Sequence, residues 1–170
     1  MIKKGGNPMP EKKGPLAMAL KFEQEGRDFF TAAAEKSGDP LTREIYEYLA
    51  MMELKHMEDI KRIAAQLKEK GSFPEKITLS ATSDKTGIFK EALKKVKREK
   101  VLAQEEVVAL RDALALEFKG REMYEKLSHE AKDHNEKHFF DLLADEEQKH
   151  FDIIYEYLEF FEQKGLRMQE

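Results

Sequence analysis

Two short patterns in this sequence carry metal chemistry: Glu53-x-x-His56 and Glu147-x-x-His150. On a helix, positions three apart share one face, so each pattern offers a carboxylate and an imidazole to the same side. A further glutamate stands thirty residues before each, Glu23 and Glu117. Four carboxylates and two imidazoles make a hard, oxygen-rich shell that suits iron or manganese. A single Glu-x-x-His is a weak signal, because five histidines in a glutamate-rich chain give a chance match easily. The pair is a strong one, because one ungapped shift of 94 residues relates both motifs and both upstream glutamates.

That shift organises the chain. Ala19, Leu20, Glu23, Gly26 and Arg27 fall on Ala113, Leu114, Glu117, Gly120 and Arg121. Leu49, Ala50, Glu53, Lys55, His56 and Ile60 fall on Leu143, Ala144, Glu147, Lys149, His150 and Ile154. The repeat halves span about 16–67 and 110–161. Packed about a pseudo-two-fold axis, equivalent residues meet in the middle.

The elements that must position these groups are helices. Gly and Pro gather in the leader, at Gly38-Asp39-Pro40, at Gly71-Ser72-Phe73-Pro74, at Gly87 and at Gly165, and the stretches between them have helical periodicity. The pattern predicts helices over 15–37, 41–70, 102–131 and 135–163, with a short crossover helix over 86–98. Residues 1–14 read as a disordered leader and 15–165 as one domain. The expected fold is all-α: a four-helix bundle of two helical hairpins joined by a long crossover that contains a short extra helix.

Heptad registers place the candidate ligands in the seam. The first helix presents Leu16, Ala19, Glu23, Gly26, Phe30 and Ala33; the second Tyr46, Leu49, Glu53, His56, Ile60, Ile63 and Leu67. The third presents Leu110, Ala113, Glu117, Gly120, Tyr124 and Leu127; the last Phe140, Leu143, Glu147, His150, Ile154, Tyr157 and Phe161. An unpaired buried carboxylate costs several kcal/mol or takes up a proton. No Lys or Arg occupies a seam position near the four glutamates. Two divalent cations would balance them. The competing reading is a bundle whose polar seam residues only fix register.

Composition agrees. The formal net charge is -4, from 30 Lys plus Arg against 34 Asp plus Glu. Without Glu23, Glu53, Glu117 and Glu147 the remainder balances at 30 against 30. So small a charge gives no electrostatic case for nucleic acid or an anionic membrane. With no cysteine there is no disulfide, iron–sulfur cluster, thiolate zinc site or catalytic thiol. No stretch reaches the roughly 18 apolar residues of a membrane span. A cytoplasmic location is the expectation.

The segments LKFEQEGRDFF with ELKH, LEFKGREMY with EEQKH, and IFKEAL before the third long helix resemble the rubrerythrin-like branch of the ferritin-like superfamily. The resemblance covers about 16–163. It implies a ferritin-like bundle with two iron ions held by Glu23, Glu53, His56, Glu117, Glu147 and His150, an iron–manganese pair fitting the same ligands. It implies that Glu53 and Glu147 bridge, and that Glu23 and Glu117 are terminal. Full-length rubrerythrins carry a cysteine-ligated rubredoxin-like domain; with no Cys here, electrons must come from an external donor protein. Those proteins also have an extra glutamate one turn after the third-helix ligand, where this chain has Gly120. Bacterioferritins bind haem through a Met after the second-helix Glu; here that residue is Leu54, so no haem is expected.

The expected activity is reduction of hydrogen peroxide or dioxygen, with ferrous oxidation and iron storage as the alternative and a metal-free interaction bundle as the second. The few residues after 163 are too short for the fifth helix of many storage cages, and a homodimer is the expected assembly. Tyr124 is the catalytic candidate. Either it hydrogen-bonds a ligand or passes electrons, or it is a core ring with a satisfied hydroxyl. Gly26 and Gly120, one turn after Glu23 and Glu117, either leave room for an oxygen species or allow helices to approach. His129, His134, His138 and the basic run Lys94–Arg98 read as solvated surface.

Overall fold

A computed structural model describes residues 14–80, 86–97 and 100–167. Residues 1–13 of the expected leader, and Arg98 of the basic run, lie outside the described residues. The described residues form five helices: α1 (Pro15–Lys36), α2 (Pro40–Lys70), α3 (Thr86–Lys94), α4 (Gln104–Glu130) and α5 (His134–Arg167).

Local chemistry sets the ends. Pro15 and Pro40 open α1 and α2 where a missing N–H costs nothing. The Asp39 side chain caps α2 by accepting from the Thr42 N–H at 2.9 Å. Gly71 ends α2 with φ of 71°, a left-handed conformation that favours glycine. Two boundaries depart from the periodicity. α3 stops at Lys94 rather than 98, because Lys95 and Val96 close tight i→i-3 bonds to Ala92 and Leu93. α5 runs through Gly165 to Arg167, since one glycine with no proline behind it costs a helix only about 1 kcal/mol.

α1 pairs with α2 and α4 with α5 as hairpins, and α1 meets α4 and α2 meets α5 across the bundle. α3 rides on α5 and sets the buried Phe89 edge-on to Tyr48 of α2. The apolar core is in two parts. One contains Phe30, Tyr46, Leu49, Leu110 and Tyr157; the other Leu16, Ile60, Tyr124, Phe140 and Leu143. Each such side chain contributes roughly 1.5–3 kcal/mol when fully buried. Between the two parts lies a layer of charged residues. The seam holds nearly throughout; only at its ends does it slip, with Ala34 buried in place of Ala33 and Leu67 half-buried. A straight helix drifts in this way against a strict heptad.

Two buried carboxylates fasten the bundle. Near the start of α4, Glu106 Oε1 accepts from the Ser37 hydroxyl and from the Gly38 and Asp39 N–H groups at 2.8, 2.7 and 3.2 Å. This ties α4 to the α1–α2 turn. On α2, Asp59 accepts from Arg62 and from the Ser80 N–H and hydroxyl, pinning the start of the crossover.

Candidate metal centre

The middle layer is built by the four long helices. α1 supplies Glu23, α2 supplies Glu53 and His56, α4 supplies Glu117, and α5 supplies Glu147 and His150. All six are between 0 and 2% exposed. Their ligand atoms form two overlapping groups, each within 4.8 Å. One is Glu23, Glu53, His56 and Glu147; the other is Glu53, Glu117, Glu147 and His150. Glu53 and Glu147 are common to both, the arrangement two bridging carboxylates require.

Distances show how the groups face one another. His56 Nδ1 lies 3.1 Å from Glu23 Oε2 and 3.6 Å from Glu147 Oε1. His150 Nδ1 lies 3.6 Å from both Glu53 Oε1 and Glu117 Oε2. The two imidazoles stack with centroids 5.3 Å apart. Tyr124, fully buried, donates its hydroxyl hydrogen bond to Glu23 Oε1. Thus Tyr124 shares the Glu117 face of α4 but reaches Glu23 of the other hairpin.

On protein atoms alone the layer is electrostatically crowded. Burial, then the Glu23 and Glu147 charges, push Glu53 far above the usual carboxylate range. Burial with the Glu117 and Glu23 charges does the same to Glu147. Burial raises Glu117 to about 8. Burial also pushes Glu23 upward. The His56 charge, a proton shared with Glu53 and hydrogen bonds from His56 and Tyr124 outweigh it, and Glu23 sits below its ordinary value. Burial opposes charge on His56, yet Glu23 beside it raises it to about 9. His150 falls to about 4 through burial, helped by the charge on His56.

The donors fit a pair of divalent cations. Glu53 Oε2, both Glu117 oxygens, Glu147 Oε1, His56 Nε2 and both His150 ring nitrogens are buried without a hydrogen-bond partner. Polar atoms orphaned in such number are costly unless something binds them. The glycines one turn along also fit. A Cβ on Gly26 would meet Glu53 Cδ and Oε2 at 3.3 Å, and one on Gly120 would meet Glu147 Oε2 at 2.6 Å and Phe22 at 2.7 Å. The space beside each upstream glutamate therefore holds the shared carboxylate of the partner helix. These contacts are with side chains, Glu53 at Gly26 and Glu147 with Phe22 at Gly120, so both glycines leave room for a neighbouring helix's side chain.

Residues 109–169 match the rubrerythrin family. That segment contains Glu117, Tyr124, Glu147 and His150, and the all-helical architecture is consistent with a rubrerythrin-like, ferritin-like bundle. The chain is similar in structure to a hypothetical protein from Pyrococcus furiosus, with TM-score 0.62, 25% identity, and 88% of this chain and 89% of that one covered. No curated protein matches significantly. No helix among the described residues is long and apolar enough to cross a membrane.

One participant is absent from the sequence motifs. Glu146 has an oxygen within 4.8 Å of a nitrogen on each imidazole, and is partly exposed while bonded to Lys149. Ligand histidines commonly use such a carboxylate to fix the ring. Its repeat partner is Met52, so the doubled pattern carries no trace of it. His129, His134 and His138 are exposed, as are Lys94, Lys95 and Lys97.

Proposed function

We propose that this chain is a di-iron carboxylate oxidoreductase that reduces hydrogen peroxide or dioxygen with electrons from an external donor protein. The observation that carries the reading is the pair of four-residue clusters sharing Glu53 and Glu147. Glu23 and His56 would complete one ion's ligands, and Glu117 and His150 the other's. Four carboxylates cancel the charge of two ferrous ions, which the apolar clusters on either side could not do. A bound ferrous pair supplies two electrons together, and with two protons these convert one peroxide to two waters.

The chain's own residues hold the pair in register. Gly26 and Gly120 let the shared carboxylates sit flush against α1 and α4. Tyr124 orients Glu23, and the two apolar clusters wall the layer off along the bundle axis. An iron–manganese pair suits the same donors.

The test is to load the protein with ferrous iron anaerobically and add peroxide or dioxygen in stoichiometric amounts. Rapid oxidation by peroxide and slow oxidation by dioxygen supports the reading. Rapid oxidation by dioxygen with retention of ferric iron transfers the protein to the ferroxidase and storage class. Binding of less than a few tenths of an ion per folded chain overturns the metal reading.

A further inference from the structure

The two halves of the layer are not equivalent, and one difference between them is the place of a hydroxyl group. The 94-residue shift pairs Phe30 with Tyr124 and Tyr46 with Phe140. Each half stacks its own two rings: Phe30 on Tyr46, and Tyr124 on Phe140, both with centroids 6.2 Å apart. The hydroxyl has changed places within the pair. Tyr124 donates to Glu23, whereas the Tyr46 hydroxyl is buried with no hydrogen-bond partner. Phe30, at the repeat position of Tyr124, has no hydroxyl to offer. Neither oxygen of Glu117 has a hydrogen-bond partner.

We propose that the two metal positions are built unequal, Tyr124 making the Glu23–His56 position the tighter and first-filled one and leaving Glu117–His150 the weaker. The inference rests on the two-ion reading above. A terminal carboxylate held in one orientation by a hydroxyl loses less freedom when it binds an ion than Glu117, which faces His150 at 3.6 Å without a hydrogen bond. Removing such an outer hydrogen bond from a ligand typically weakens metal affinity about 10- to 100-fold.

The experiment is to add one equivalent of cobaltous ion per chain anaerobically and read the occupancy of each position by anomalous scattering from crystals. Solution affinities come from the cobalt absorption bands. The metal-free full chain is the starting material. In the unaltered protein most of the cobalt is expected at Glu23–His56. Tyr124→Phe keeps the ring against Phe140 and Phe22. It is expected to even out the occupancies and to weaken the tighter site about 10- to 100-fold. Phe30→Tyr is expected to strengthen the other position. Equal occupancy in the unaltered protein, or a preference that survives Tyr124→Phe, overturns the inference while leaving two ions bound. No cobalt bound at saturation overturns the two-ion reading and the inference together. A merely structural Tyr124 would lower the melting temperature without changing the ratio of the two occupancies, and that result also counts against the proposal.

Discussion

Glu106 and Glu53 are both buried glutamates on long helices of one bundle, 8% and 1% exposed. Their surroundings are opposite. Glu106 gathers three donors from the turn between α1 and α2, and its charge is met by oriented N–H and O–H groups. Glu53 faces Glu23, Glu117 and Glu147, and its Oε2 has no partner. A carboxylate buried among donors is a structural fastening. One buried among other carboxylates has no donors to meet its charge, and a cation is what could supply the missing half. Asp59, with its Arg62 and Ser80 donors, falls on the Glu106 side of the division.

The largest expected effect is metal-dependent stability. A ligand at a thousandfold excess over its Kd stabilises the folded state by about 4 kcal/mol. For a chain of this size each kcal/mol moves Tm by roughly 2–4 °C. Manganous or ferrous ion should therefore raise Tm by on the order of 10 °C. Glu53→Gln should abolish that rise without lowering Tm of the metal-free protein, because the amide removes a carboxyl that must otherwise be kept protonated. Thermal melts with chelator and with metal check both points. A Glu53→Gln protein that still gains stability from metal would place the ions elsewhere.

The pH dependence should reverse sign with metal. Folded Glu117 keeps its proton up to about 8, whereas an unfolded glutamate releases it near 4.5. His56 keeps its proton up to about 9 against 6.5 unfolded. Between pH 6.5 and 8 the folded chain thus holds more protons through both groups, so metal-free stability falls as pH rises. Ions need deprotonated ligands, so their uptake strengthens over the same interval. His150, lowered to about 4, adds stability with rising pH only below 6.5 and does not disturb this window. Denaturant midpoints at pH 6.5 and 8.5, with chelator and with manganous ion, measure it. Parallel slopes in the two conditions would break the contrast between the two kinds of carboxylate.

Glu106→Gln is the complementary change. It keeps the shape but removes the charge from three hydrogen bonds, and bonds to charged groups contribute about 1.5–3 kcal/mol against about 1 for neutral ones. A loss of about 1–2 kcal/mol with unchanged metal stoichiometry is expected, read by denaturant unfolding and metal analysis. Loss of metal would show that the bundle end and the central layer are not separate.

The central layer was legible in the sequence because periodicity and repetition encode it. Glu23, Glu53, His56, Glu117, Glu147 and His150 sit at seam positions, and a seam is a property of each helix alone. What was not legible depends on pairs of helices. Heptad position puts Tyr124 on the Glu117 face, but not which neighbour its hydroxyl touches; the answer, Glu23, lies 101 residues away. Glu106 and Ser37 are 69 residues apart and share no period. Glu146 stands beside a motif but off the seam, opposite a methionine in the repeat.

The glycines give the finest form of the comparison, because the two halves of the layer differ there by less than an ångström, 3.3 against 2.6 Å at the nearest contact. Alanine in mid-helix is favoured over glycine by about 1 kcal/mol. At Gly26 the added Cβ meets the flexible Glu53 carboxylate at 3.3 Å, a contact that a small rotation relieves. At Gly120 it meets Glu147 Oε2 at 2.6 Å and the Phe22 ring at 2.7 Å, and Phe22 is packed edge-on against Tyr124. Overpacking of that kind costs about 1–3 kcal/mol and displaces a shared ligand. Gly26→Ala should therefore leave stability within about 1 kcal/mol and keep both ions. Gly120→Ala should lose stability and weaken metal binding together. Metal content and thermal melts of the two variants decide it, and a Gly120→Ala protein with full metal content and raised Tm would show that Glu147 has room that the packing denies it.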